Sequence, residues 1–240
     1  MRIIFCIIFL SSLSTATYSA ENKAYRIQGH IGSNFLSMLE SDLKRVYFKT
    51  KKTQRRRASK FNIPEITMLI KGQPHLPETD KTYLLEIFKY ISRLGITILE
   101  LSGPGGDIKN AFGLGLLIKN LKLDTVVPKG KLCASACSYL YLQGQTKTML
   151  EGSSLMFHLG VIYQGDNQFK LKKCHAFDYE KCELSAYAQL VLENYRRFIN
   201  SLPEMIRKDV MSHKDRYVDR NEAQKFRITG KAEKIYSSFK

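Results

Sequence analysis

Two strand-to-helix junctions built from small residues constrain this chain more than any other feature. At the first, the apolar run Ile96-Thr97-Ile98-Leu99-Glu100-Leu101 ends in Ser102-Gly103-Pro104-Gly105-Gly106-Asp107, and a helical pattern follows from Ile108 to Leu121. At the second, Thr125-Val126-Val127 leads to Cys133-Ala134-Ser135-Ala136-Cys137, which opens another helical stretch. Where a strand ends and a helix begins, unbonded backbone N–H groups and the helix dipole favour negative charge. A serine at one junction, facing a glycine amide at the other, is a nucleophile set beside an oxyanion hole.

The rest of the chain fits around these junctions as alternating strands and helices. Ile66 to Ile70 reads as a buried strand stopped by Lys71-Gly72. Pro77-Glu78-Thr79-Asp80 leads into a helix through about Arg93, with Leu84, Leu85, Ile87, Phe88 and Ile91 at helical spacing and Gly95 at its end. Leu155-Met156-Phe157-His158 reads as a short buried strand, Gly160 to Glu183 as a loop, and Leu184 to Asn200 and Pro203 to Met211 as helices. Asp215 to Tyr236 reads as a turn, a short helix and a last edge segment. This alternation predicts an α/β fold of parallel units under right-handed crossovers. Apolar residues make up 44% of the 240, enough for a real core.

Residues 1–20 have the form of a secretory signal: Arg2, an apolar core from Ile3 to Leu10, then small and polar residues to Ala20. The apolar run is too short to cross a bilayer. Cleavage after Ala16 and after Ala20 are both open. The expected product is exported, to a periplasm or the medium, and soluble. Cys6 leaves with such a signal, and Cys133, Cys137, Cys174 and Cys182 remain. An even count in an oxidising compartment reads as disulfides. Local pairing, Cys133 with Cys137 and Cys174 with Cys182, is the simplest of the connectivities. A zinc site including His175 fits less well, because C-x3-C and C-x7-C are poor ligand spacings.

The net charge of +16 is concentrated. Between Lys44 and Lys60 stand nine basic residues and no acid, in a segment (21–60) that reads as a basic N-terminal extension. A solvated basic surface is the plainer account, and an anionic headgroup or acidic partner the sharper one. No nucleic-acid motif accompanies the block.

Serine catalysis needs a base within hydrogen-bond reach, a group that orients the base, and donors for the oxyanion. Ser135 is the best nucleophile, since Ala134 and Ala136 admit a substrate closely and the Ala136 amide lies at a helix N-terminus. Ser138 reads as an ordinary helix serine. Among His30, His75, His158, His175 and His213, the one that ends an apolar strand is His158, although a core histidine bonded to backbone is the commoner use of such a residue. Asp107, Asp209, Asp215 and Asp219 are all available as the orienting acid, and spacing does not choose between them.

With those residues in view, the chain resembles the Clp protease proteolytic subunit and its clan, which includes crotonases and signal peptide peptidase A. The strand followed by Ser102-Gly103-Pro104-Gly105-Gly106 is similar to the clan's Ser-Pro-Gly-Gly turn, lengthened by Gly103. Gly130 to Leu142 resembles the nucleophile segment. Ser154 to His158, and Lys214 to Tyr217 followed by Glu222-Ala223, resemble the segments that carry the histidine and the aspartate. The likeness runs in consistent order from Ile66 to Tyr236.

It implies a ClpP/crotonase-like domain over residues 61–240, with repeated β/β/α units, and an exported serine peptidase or related acyl hydrolase. Ser135 would be the nucleophile, His158 the base, Asp215 its orienter, and the Gly106 and Ala136 amides the oxyanion hole. No metal or organic cofactor is implied. The partner is a peptide or protein substrate, and homo-oligomer formation stays open. The Gly160–Glu183 loop replaces the region through which Clp subunits form rings, which argues against ring assembly. A non-catalytic binding protein that presents its basic face to an anionic partner is the alternative, and a serine–lysine hydrolase a further one.

Overall fold

The computed structural model describes residues 15–19, 23–50, 63–73, 76–159, 161–165, 171–175, 182 and 184–230. The expected signal therefore lies mostly outside the described residues. Its last part, Thr15–Ser19, forms strand β1. Strand β2 (Ala24–Ile31) pairs antiparallel with β1 and parallel with a later strand. Helices α1 (Phe35–Thr50), α2 (Ile63–Lys71) and α3 (Glu78–Leu94) follow. Next come β3 (Ile98–Gly106), α4 (Ile108–Asn120), β4 (Asp124–Val127), β5 (Leu132–Ala134) and α5 (Ala136–Leu142). The chain continues through β6 (Lys147–Met149), β7 (Ser154–Phe157), β8 (Val161–Gly165) and β9 (Leu171–His175). It ends in α6 (Ala186–Ser201), α7 (Glu204–Met211), β10 (Arg216–Asp219) and α8 (Arg220–Lys225).

The architecture is α/β, as expected, on a mostly parallel sheet ordered β1-β2-β3-β5-β7-β10, with β4 and β6 branching from β3. β3 is where the sheet divides. Its first half pairs with β4 from Ile98 to Glu100, and its second half pairs with β5 at Gly103 and Cys133. The division positions the site, because it brings the glycine end of β3 beside the start of α5. Alternate residues of β3 serve different faces: Leu99 and Leu101 enter the main core, which the helices cover, while Glu100 and Ser102 face the other way. Among the described residues no helix is long and apolar enough to cross a membrane.

Three expectations change. The run Ile66 to Ile70 is helix α2, not a strand. Ile66 and Ile70 are buried one turn apart, while Met68 between them is 69% exposed. The segment 21–60 is not an appendage ahead of a domain beginning at residue 61. It supplies β2, which pairs with β3 along most of its length, and α1, whose Leu36, Leu39 and Leu43 are buried in the main core. Lys44, Arg45 and Lys49 lie on α1, and residues 51–60 lie outside the described part. The stretch read as a loop from Gly160 contains the antiparallel hairpin of β8 and β9, which pairs Val161 with His175.

Candidate active site

The site forms where β5 passes into α5. Ser135 occupies the junction with φ 56° and ψ −121°, a left-handed conformation that costs a non-glycine residue about 1–3 kcal/mol and persists only where its surroundings enforce it. Three interactions enforce it. The Ser135 N–H donates to Met156 O on β7 at 2.8 Å. The Cys133–Cys137 disulfide closes over the residue, with Cα atoms 5.2 Å apart. The buried Ser138 hydroxyl, one turn into α5, contacts Cys133 O at 2.6 Å and Met156 O at 3.0 Å, tying α5 to β5 and β7. Ser138 is thus a brace for the junction.

The strained turn presents the Ser135 hydroxyl to His158, one residue past the end of β7. Ser135 Oγ lies 2.6 Å from His158 Nε2. The other ring nitrogen, Nδ1, lies 3.0 Å from Leu159 O. A carbonyl only accepts, so Nδ1 carries the proton and donates to Leu159 O. Nε2 is then left to accept from Ser135, the tautomer a general base requires. The backbone of His158 is itself held: buried Tyr195 of α6 donates its hydroxyl to His158 O at 2.9 Å. Burial pushes the Tyr195 hydroxyl well above the ordinary tyrosine range, so it remains a neutral donor.

The four candidate acids separate cleanly. Asp107 caps α4, accepting the Lys109 N–H at 2.8 Å, and Asp219 caps α8, accepting the Glu222 N–H at 2.8 Å. Asp209 lies 3.3 Å from Arg216 in an ion pair. Asp215 is the one beside the site. It directly precedes Arg216, which pairs with Phe157 across β10 and β7, so it follows on from the end of β10 that adjoins the His158 end of β7. Its side chain is exposed and makes no hydrogen bond to the imidazole, whose Nδ1 is turned to Leu159.

On the other side of Ser135 lies the glycine turn. Gly105, at φ 86°, is the residue in contact with the nucleophile. A Cβ there would stand 2.4 Å from Ala134 O, 2.7 Å from Ser135 Cβ and 2.8 Å from the Ala136 nitrogen. Only glycine fits. Gly106 packs toward β2, where a Cβ would meet Ile31 O at 2.3 Å and His30 Nε2 at 2.9 Å. The resemblance points to Gly106 of this turn, and no local signal in the sequence links His30 to it. The juxtaposition of His30 with this turn comes from the register of β2 on β3, which pairs His30 with Gly105. The Ala136 N–H, first of α5, has no hydrogen-bond partner among the described residues.

Cys133 and Cys137 are paired as the simplest connectivity predicted. Cys182 is also in a disulfide, while the Cys174 side chain, like that of His175, lies outside the described residues. No group of three or more metal-ligating side chains occurs among the described residues. His75 lies outside them as well, and His213 stands in a left-handed turn after α7.

The fold and this junction define an α/β protein that carries a serine–histidine pair at the end of a parallel sheet. No protein-family model matches the sequence, and no curated protein matches it. Among solved structures, the chain is similar to a serine-to-alanine mutant of a protein described as the 1510-N membrane-bound stomatin-specific protease. That likeness has 13% identity and a TM-score of 0.44, over 86% of this chain and 75% of the other. A lysine-to-alanine mutant of the same protease, in complex with a substrate peptide, is similar at 13% identity and a TM-score of 0.42, over 86% and 71%.

Proposed function

We propose that the protein is an exported serine hydrolase acting on peptides or related acyl compounds through Ser135 and His158. The observation that carries this reading is the 2.6 Å contact of Ser135 Oγ with His158 Nε2, made from a strained junction whose neighbouring amide is unbonded. Ser135 Oγ attacks the acyl carbon and its proton passes to Nε2. The carbonyl electron pair moves onto oxygen, and collapse of the tetrahedral intermediate expels the leaving group, which takes the proton back from His158. Water activated by His158 then releases the acyl group from Ser135.

The oxyanion is received by the N–H groups of Ala136 and Gly106. The Asp107 N–H donates to Ile31 O on β2 at 2.6 Å. Alternation along a strand turns the preceding amide, that of Gly106, to the opposite edge of β3, where Ser135 lies. Leu159 O orients His158, and Asp215 adds a screened charge beside the imidazolium. The two disulfides fit an oxidising compartment, which supports the exported location. No lysine approaches Ser135 among the described hydrogen bonds, which favours the histidine route over a serine–lysine one.

A fluorophosphonate probe tests this directly. The expected adduct forms on the oxidised wild-type protein and maps to Ser135. It is absent in Ser135→Ala and slower by at least about a thousandfold in His158→Ala. Absence of any adduct on the folded, oxidised wild-type protein would leave the fold as a non-catalytic scaffold.

A further inference from the structure

A cavity of about 240 Å³ lies at the place where the sheet divides. Val126, Pro128 and Leu150 give its lining an apolar part. Ser102 of β3, only 5% exposed, also lines it, and its hydroxyl has no hydrogen-bond partner among the described residues. Glu100 also borders the cavity, but Arg26 Nε lies 2.5 Å from its carboxylate and neutralises it. Lys129 is drawn outward to Glu151 at 2.7 Å. Lys131 has no anionic partner among the described residues and lines the same space. An unneutralised ammonium, an unpaired hydroxyl on a buried wall and an apolar surface together match a carboxylate on a small apolar body.

Lys131, which lines the cavity, stands immediately before β5, the strand that leads to the nucleophile. Lys131 precedes Ser135 by four residues, so an extended strand places the two about 13 Å apart. We propose that this cavity is a remote substrate subsite for an acidic or C-terminal residue three to four positions from the scissile bond. The proposal rests on the hydrolase reading for that spacing, but its ligand chemistry is independent of it.

The test uses the full chain carrying Ser135→Ala, with two probes: N-acetyl-Ala-Ala-Ala-Ala-Leu as the free acid and as the C-terminal amide. Calorimetry is expected to show the acid binding about tenfold more tightly. Lys131→Gln should remove that preference and leave the amide's affinity unchanged. In the wild-type protein, peptides with a free C-terminus should be cut three or four residues before it, as read by mass spectrometry. Equal binding of acid and amide, or a preference that survives Lys131→Gln, overturns the proposal. If the acid preference depends on Lys131 but wild-type protein neither takes the fluorophosphonate nor cuts peptide, the carboxylate site stands, and the subsite claim falls with the hydrolase reading.

Discussion

Replacing Asp215 by asparagine separates two ways of orienting a catalytic histidine. When a buried carboxylate holds the imidazole, its loss costs about 10⁴ in kcat, because the ring takes the wrong tautomer. In this protein the Nδ1 proton is directed to Leu159 O at 3.0 Å, and no side-chain substitution removes a backbone carbonyl. Asp215 is exposed and makes no hydrogen bond to the ring, which leaves it an interaction of charges through solvent. Exposed ion pairs contribute about 0.2–1 kcal/mol, so Asp215→Asn should slow the reaction by about fivefold at most. The second-order rate of fluorophosphonate labelling measures this without knowledge of the natural substrate. The small effect should shrink further as ionic strength rises, since screened charges carry it. A thousandfold loss in an Asp215→Asn protein with unchanged circular dichroism would refute the argument. It would show that the carboxylate reaches the ring in the working state.

Other substitutions test the scaffold around the nucleophile. Gly105→Ala forces a Cβ to within 2.4 Å of Ala134 O at a positive φ, so labelling should fail and stability should fall by about 1–3 kcal/mol in denaturant titration. Ser138→Ala removes the hydroxyl from Cys133 O and leaves Met156 O with the Ser135 N–H alone, and the urea midpoint should drop by the equivalent of about 1–3 kcal/mol. The double variant Cys133→Ala/Cys137→Ala releases the shortest of loops. On the chain-entropy account it costs about 2 kcal/mol, and its labelling rate should fall as well, because the junction that strains Ser135 loses a tether. An unchanged rate in that variant would mean that Ser138 and the Met156 contact hold the serine unaided.

Much of this site was legible because its determinants are local. Small residues between an apolar run and a helical pattern mark a junction wherever they occur, and Asp107 and Ser135 stand where the pattern placed them. The reading failed where a local signal was ambiguous or the determinant was remote. Ile66 to Ile70 is short, apolar and rich in β-branched residues, which suits a strand; Pro64 and Glu65 at its start, and burial at i and i+4, belong to a helix. β2 alternates buried Tyr25 and Ile27 with Arg26 and Gln28, a half-buried strand pattern. The purpose of its polar side was invisible without Glu100, which bonds Arg26 from 74 positions further along the sequence. The orientation of His158 was likewise beyond reach, since a neighbouring carbonyl and an opposed carboxylate compete for one ring nitrogen, and residue order does not decide between them.

The cysteines that bracket Ser135 show how far a spacing can be read once a junction is granted. Four residues apart in an extended strand, two Cα atoms stand about 13 Å from one another, far outside disulfide reach. Here they are 5.2 Å apart, because the chain reverses from β5 into α5 between them, at the one residue with φ 56°. The left-handed serine and the closed C-x3-C bridge are therefore two consequences of a single turn. The bridge spans the reversal at which Ser135 projects toward His158, and that reversal holds the flanking cysteines within bonding distance. Oxidation state and nucleophile geometry are then coupled through backbone, with no intervening side chain, and the labelling rate of the reduced protein measures that coupling.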